Sequence, residues 1–300
     1  MTDDLRRLLF SIAYRMVGTA SDAEDLVQEA FLRLHREQQE GTTIESPKAF
    51  LTTVITRLSI DHMRSARVRR EEYVGEWLPE PLLADPGPGP ADHAEMSDTL
   101  SLAFLVLLET LSPLERAVFL LHDVFGYSFA EIGEVVERSE ENCRQIASRA
   151  RRAIDAAKPR FDPSEEERRR VAEQFFAALA GDASDIAAVL SEDVVLHGDG
   201  GGKAPALARA LHGPDRVSRA FANWSKAGTR LRATMEVALV NGQPGAVFRM
   251  PGGELASVMM LKITGGKVSE IFSVVNPDKL QHLGDVADLK ALLRGGSASA

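Results

Sequence analysis

Cysteine is almost missing from this chain: Cys143 stands alone among 300 residues. That excludes a disulfide framework and a cysteine zinc site within one chain. No apolar run approaches the roughly 18 residues that a membrane-spanning helix needs, and the early acids Asp3 and Asp4 are unlike a signal peptide. The expectation is a cytoplasmic protein with no membrane partner. Its histidines do not cluster, His122, His212 and His282 being far apart in sequence, so no metal and no cofactor is expected. Aromatic residues make up only 6%, and Phe31 and Phe50 fall at core-facing spacing, which suits packing rather than base stacking. Positive charge is absent from residues 71–100, which carry eight acids and no Lys or Arg. The net charge of -9 argues against a nucleic-acid partner for the chain as a whole. Its distribution argues otherwise: residues 57–70 hold five arginines, Arg57, Arg64, Arg67, Arg69 and Arg70, against Asp61 alone.

A second basic patch has helical order. Between Glu140 and Arg152, Cys143, Ile146, Ala147 and Ala150 recur on one apolar stripe that Ile154 extends. The opposite face presents Asn142, Gln145, Arg149 and Arg152, flanked by Arg144, Arg151 and Ser148. Arg can bond guanine through two donors, Gln and Asn can bond adenine, and further arginines neutralise phosphates. Just upstream, Ser128 and Glu131 form a capping box opening a short apolar helix, and Ser139 can cap the next one. Helix, tight turn and polar-faced helix is the helix-turn-helix pattern, whose second helix enters the major groove. The buried-side Cys143 reads as a core thiol.

Toward the N-terminus, residues 4–18 form an amphipathic helix ended by Gly18, and Ser21 with Glu24 reads as another capping box. The helix that follows buries Leu26, Val27, Ala30, Phe31 and Leu34 and turns Asp22, Glu24, Asp25, Gln28 and Glu29 outward. Ser46–Pro47 opens a third helix that ends in the arginine-rich run.

"DAEDLVQEAFLRL" (22–34) and "PKAFLTTVITRLSIDHMR" (47–64) resemble region 2 of extracytoplasmic-function (ECF) sigma factors. "LSPLERAVFLLHDVFGYSFAEI" (111–132) through "SRARRAI" (148–154) resembles their region 4. The resemblance implies that Asp22, Glu24, Asp25, Gln28 and Glu29 face core RNA polymerase. It implies that the 36–46 loop and the basic helix read and melt the −10 element of promoter DNA, and that 140–152 reads the −35 element. Phe50 stands where the family usually has tryptophan. Glu137 stands where its turn usually has glycine, so Glu137 is expected to adopt a left-handed conformation at some cost.

Residues 73–98 read as an acidic linker containing "DPGPGP" (85–90), in which "WLPEP" (77–81) introduces apolar Trp77, Leu78 and Pro79 as a docking segment. Region 2 then occupies 1–72 and region 4 occupies 99–160, closed by Lys158–Pro163. A further domain, 164–283, has helices followed by strands at 194–203, 229–241, 244–250, 254–264 and 267–275, with a helix at 214–227 and a Gly265–Gly266 hairpin. The fold class is two all-α sigma domains, a helical bundle and a helix-turn-helix, followed by an α+β cone. The cone resembles the SnoaL-like, NTF2-like fold, and the whole resembles the SigJ-like group of ECF sigma factors. In that group "WLPEP", Asp199–Gly200–Gly201–Gly202–Lys203 and Asn276–Pro277–Asp278–Lys279–Leu280 are recurring motifs, and the latter two are expected to contact the Trp77–Pro81 linker or region 2. Residues 284–300 read as a tail.

Such cones carry cavities, so His197, Asp199, Glu236 and Arg249 are candidates to point inward, but no acid–base pair stands at convincing spacing. The reading is a sigma factor, monomeric when free, regulated in cis by a non-catalytic cone. The alternative is a DNA-tethered enzyme or a sensor of an unidentified small ligand.

Overall fold

Apolar residues three and four apart make the first half of the chain helical. Helix α1 (Thr2–Val17) buries Leu9, Ile12, Ala13 and Met16, and α2 (Ala20–Gln39) buries Ala23, Val27 and Ala30. Helix α3 (Pro47–Glu71) completes a three-helix bundle through Leu51, Ile55 and Ile60. The computed structural model describes residues 2–71, 73–83, 99–156, 164–181 and 183–295. Among them two compact units separate: residues 2–71, 99–100 and 104–156 form one, and residues 73–83, 101–103, 164–181 and 183–295 the other. The "DPGPGP" tract and the 158–163 segment lie outside the described residues.

After Leu102–Leu108 (α4), the first unit continues with α5 (Pro113–Phe119), a wide turn at Leu120–Val124, α6 (Phe129–Val136) and α7 (Glu140–Asp155). Capping explains the starts. Ser112 with Glu115 and Ser128 with Glu131 close full boxes, and Ser139 accepts from the Asn142 amide at 3.2 Å. The expected box at Ser21 does not form: α2 begins two residues earlier, after extended Thr19, whose hydroxyl bonds Asp22. Between α6 and α7, Glu137 is left-handed at φ 55°, as the family comparison implied. Gly133 lets the turn approach, because a Cβ there would stand 2.7 Å from the Arg138 carbonyl.

Two arginines are sealed inside this unit. Arg15 is 0% exposed and bonds Ser11 and Thr99. Arg116, 1% exposed, bonds the Leu108 and Met16 carbonyls at 3.0 and 2.6 Å and pairs with Glu109. Thr52 of α3 meets the Tyr127 hydroxyl at 3.0 Å. These contacts seat α4–α7 on the N-terminal bundle through polar groups.

The second unit holds α8 (Glu165–Ala180), a 3-10 turn (Ala183–Val189), β1 (Leu190–Asp199), β2 (Leu211–His212), α9 (Pro214–Leu231), β3 (Thr234–Val240), β4 (Gln243–Arg249), β5 (Leu255–Thr264) and β6 (Lys267–Val274). The sheet order is β2-β1-β6-β5-β4-β3, antiparallel except for the β1–β6 pair. Its hairpins turn through Asn241–Gly242 and Gly265–Gly266, all at positive φ, as two-residue turns of matching twist require. The inner face, with Leu196, Ala246, Met259, Leu261 and Ile271, packs on Phe175, Phe176, Val217 and Phe221 of the helices. Short helices α10 (Pro277–Leu280) and α11 (Leu289–Gly295) follow, and residues 285–287 hydrogen-bond along Leu255 at the start of β5.

Several boundaries differ from the sequence reading: β1 spans Leu190–Asp199 instead of 194–203, and residues 284–300, read as a tail, include the helix Leu289–Gly295. Helix α9 runs to Leu231 instead of 227, so β3 starts at Thr234 instead of 229; its end is set by left-handed Arg232. The short strand β2 was hidden by its length.

Gly133→Ala should lower the stability of the first unit by about 1–3 kcal/mol, since backbone must shift to admit the methyl group. Chemical denaturation should show the loss, with circular dichroism reporting unchanged helix content before the transition.

Candidate functional site

The second unit buries a carboxylate. Strand alternation puts Leu196 in the inner core and therefore turns His197 and Asp199 to the opposite face of β1. Register puts Glu236 beside Val247 and Arg249 beside Thr234 on that same outer face. The expectation that these four residues line an inner cavity is thus wrong, because a period of two admits only alternate residues to the core.

Asp199 is 0% exposed. Its Oδ1 accepts from the Tyr73 hydroxyl at 2.5 Å and the Gly201 amide at 3.1 Å. Its Oδ2 accepts from the Leu78 amide at 2.9 Å and from Lys279 Nζ at 2.6 Å. Lys279, itself 5% exposed, also donates to the Leu78 carbonyl and lies 4.1 Å from the Trp77 ring centre and 5.0 Å from that of Tyr73. One ion pair therefore takes both backbone polar groups of Leu78 and adds cation–π contacts. Pro79 is buried beside Leu78.

The surrounding motifs complete this cluster. Asn276 Nδ2 donates to the Tyr73 hydroxyl at 2.7 Å, and Asn276 caps α10 by accepting from the Asp278 amide at 3.1 Å, with Pro277 first in the helix. A Cβ at Gly201 would overlap the Asn276 amide, and one at Gly200 would stand 2.5 Å from the Ala204 carbonyl. Gly202 packs on Val74, and Lys203 pairs with Asp278 at 2.6 Å on the surface. Burial, followed by the bond to Asp199, drives the Tyr73 hydroxyl far above its ordinary pKa, so it stays a donor.

Sequence reading missed Tyr73 and a second tie. His197 meets Glu76 at 2.7 Å and Glu270 at 3.5 Å, while stacking on Phe272 at 4.9 Å. Burial opposes its charge, but the hydrogen bonds and charges of Glu270 and Glu76 outweigh it and raise its pKa to about 9. Burial likewise opposes the charge on Glu270, but His197 and Lys262 hold its pKa at about 2. Further along, Leu82 exchanges two backbone-directed bonds with Asn241, at 2.9 and 2.8 Å, and His282 meets the Pro81 carbonyl at 2.9 Å.

In the first unit, Arg144, Gln145, Ser148, Arg149 and Arg152 line one shallow surface of α7. Asn142, half-buried, sits a turn before them. Arg144 pairs with Glu140, Arg149 lies 3.7 Å from Glu115, and Gln145 and Ser148 are open. On α3, Arg64 pairs with Asp61 at 3.2 Å, and the side chains of Arg67, Arg69 and Arg70 lie outside the described residues. Arg57 does something else. Its Nε and Nη2 donate to the Val135 and Glu134 carbonyls at 2.8 and 3.1 Å, and its Nη1 meets Glu137 at 3.0 Å. It caps the last turn of α6, where unpaired carbonyls and the helix dipole favour a cation.

On α2, Asp25 and Gln28 are exposed, Asp22 lies 3.4 Å from His62, Glu24 pairs with Arg6, and Glu29 bonds Arg33 at 2.8 Å. The Arg33 bond lowers the Glu29 pKa. Leu32, 50% exposed, shares this face four residues beyond Gln28, a spacing that could have revealed it.

A polar-faced helix-turn-helix on a helical bundle, joined in one chain to an α+β cone, defines a modular DNA-binding protein. Residues 1–69 match Sigma-70 region 2, residues 101–154 match Sigma-70 region 4, and residues 172–271 match the SnoaL-like domain. The chain is 40% identical over 285 residues to the ECF RNA polymerase sigma factor SigJ of Mycobacterium tuberculosis, spanning 92% of this chain and 90% of that protein. It is 34% identical over 295 residues to the probable ECF sigma factor SigI of the same species, spanning 97% and 95%. The crystal structure of SigJ superposes with a TM-score of 0.72 at 35% identity, covering 93% of this chain and 96% of that one. The chain belongs to the ECF RNA polymerase sigma factors and carries a SnoaL-like C-terminal domain.

Asp199→Ala should destabilise the second unit by about 3–5 kcal/mol, since it leaves the Lys279 ammonium buried and unpaired. Urea titration of the full chain should resolve the loss. The His197 tie gives a pH signature. Its folded pKa of about 9 exceeds the reference value of 6.5, so its stabilisation is complete below 6.5 and fades as pH rises through about 9. Wild type should therefore lose more melting temperature between pH 7 and 10 than His197→Gln does.

Proposed function

We propose that this chain directs core RNA polymerase to promoters in the cytoplasm, and that the SnoaL-like cone regulates it in cis without catalysing a reaction. The observation that carries the regulatory part is the Asp199–Lys279 pair gripping Leu78. Leu78 lies in the segment connecting the two sigma regions in sequence, so a cone that holds it controls the tether between them. The non-catalytic reading is supported by His197 and Asp199, the cone's best candidate acid–base groups, being committed to Glu76, Tyr73 and Leu78 on the outer sheet face.

In this reading the α7 surface reads the −35 element by base-edge and phosphate contacts. The basic end of α3 and the 36–46 loop engage the −10 element. Asp22, Glu24, Asp25, Gln28 and Glu29, with Leu32 as an apolar anchor, form the polymerase-facing side of α2. Arg57 has two incompatible employments. Its donors cannot bind DNA phosphates while they cap α6, so the docked arrangement of the two sigma regions withholds a −10 contact. Glu137 strengthens that arrangement, its left-handed backbone cost being offset by the Arg57 pair. Opening needs only modest energy, because about 1.4 kcal/mol shifts a population tenfold.

In vitro transcription with core polymerase tests both parts. Lys279→Gln and Trp77→Ala, in full-length folded protein, should change promoter-dependent output severalfold. Glu137→Ala should raise it, and Arg57→Ala should lower it even though it also breaks the clasp. Output equal to wild type for every cone and linker variant would make the cone a passenger.

A further inference from the structure

Helix α9 carries a feature that neither sigma region nor the buried cluster uses. Arg216, Arg219, Asn223, Lys226 and Arg230 are all exposed. At 3.6 residues per turn they fall within a sector of roughly 80°. Val217 and Phe221, buried in the core, occupy the far side of the same helix. Four cations thus stand in one row across a chain whose net charge is -9.

The row is unlike other charged surface in this unit. Helix α8 mixes signs, with Glu165, Glu166 and Glu167 beside Arg168, Arg169 and Arg170, and Arg169 lies 3.8 Å from Glu173. On α9 the one acid is Asp215 in the first turn, and Arg219 reaches its backbone carbonyl rather than its carboxylate. Among the described residues, none of the four cations meets a carboxylate within ion-pair distance. Like charges three and four residues apart repel, while the helix dipole opposes Arg216 in the first turn and favours Arg230 in the last. The repulsion along the row works against the helix that bears it, which a surface serving only solubility would avoid by alternating signs.

We propose that this face of α9 is a second DNA contact, through which the SnoaL-like domain holds the phosphate backbone of duplex DNA without reading sequence. From Arg216 to Arg230 the helix rises about 21 Å, the axial run of about six phosphates on one strand. Arginine and lysine supply charge-assisted donors to phosphate, and Asn223 supplies a neutral one. The row contains no aromatic platform of the kind single strands need, since Trp224 leans away from it, edge-on to Phe221 at 5.4 Å. Backbone contact to a duplex is the chemistry that remains. The proposal goes beyond the sigma-factor reading and uses neither promoter nor polymerase.

The test is fluorescence anisotropy of the full-length chain on a labelled duplex of about 30 base pairs of random sequence, from 50 to 200 mM salt. The quadruple variant Arg216→Gln, Arg219→Gln, Lys226→Gln, Arg230→Gln should bind at least tenfold more weakly at low salt. The slope of log affinity against log salt should fall by about three to four, close to 0.9 per phosphate contact. Its melting temperature should equal or exceed that of wild type, because repulsion is removed. Arg149→Ala with Arg152→Ala in α7 should weaken binding too, yet leave the contribution of α9 to the slope in place. An unchanged slope and affinity in the quadruple variant would overturn the proposal. So would unchanged DNA binding with weakened capture of core polymerase, which would make the occupant an acidic protein surface. Loss of transcription without any change in this assay would refute the DNA contact and leave the sigma-factor reading standing.

Discussion

A carboxylate with no exposure to water must have its lone pairs satisfied by protein, and at Asp199 that demand organises the second unit. Tyr73, Leu78, Gly201 and Lys279 all point donors at it. They come from the linker, the glycine loop and the short α10 helix, so none can move without stranding the charge. A buried ion pair is a weak source of net stability, because desolvation offsets most of the attraction. Its value is specificity: one geometry satisfies every group, and alternatives leave a charge unpaired. Gly200 and Gly201 follow from the same demand, since a side chain on either would meet the Ala204 carbonyl or the Asn276 amide.

The first unit uses polarity differently. Its two sigma regions meet through Arg116 on the Met16 carbonyl, Thr52 on Tyr127 and Arg57 on the end of α6. Interfaces between domains that separate are more polar than permanent cores, since their surfaces must also tolerate water. The cone is held to its linker by a buried ion pair, whereas the sigma regions meet through hydrogen bonds of buried Arg116 and Thr52 and of half-exposed Arg57.

Much of the helical half was legible from local rules. Three-and-four spacing located α1, α2, α3 and α7, and Ser112, Ser128, Ser139 and Ser164 cap where short-range chemistry says they should. Ser21 shows the limit of that logic, because Thr19 could bond Asp22 first and a capping pattern does not say which neighbour wins. The end of α9 was misplaced because "TRLRATMEV" alternates well enough to pass for strand. The helix instead runs on to Leu231 and ends at left-handed Arg232.

The sequence by itself determined the modules and their motifs. It marked "WLPEP", the glycine loop and Asn276–Leu280, the α7 face, and the odd residue at 137, each a matter of local pattern or spacing. Only the tertiary structure decided which way His197 and Asp199 face, that Tyr73 joins Asp199 across 126 positions, and that Lys279 reaches Leu78 across 201. It also decided that Arg57 caps a helix 77 residues away. The reason is physical. Local conformation follows from nearest neighbours along the chain, but the partner of a buried charge follows from sheet register and packing, which no single segment contains.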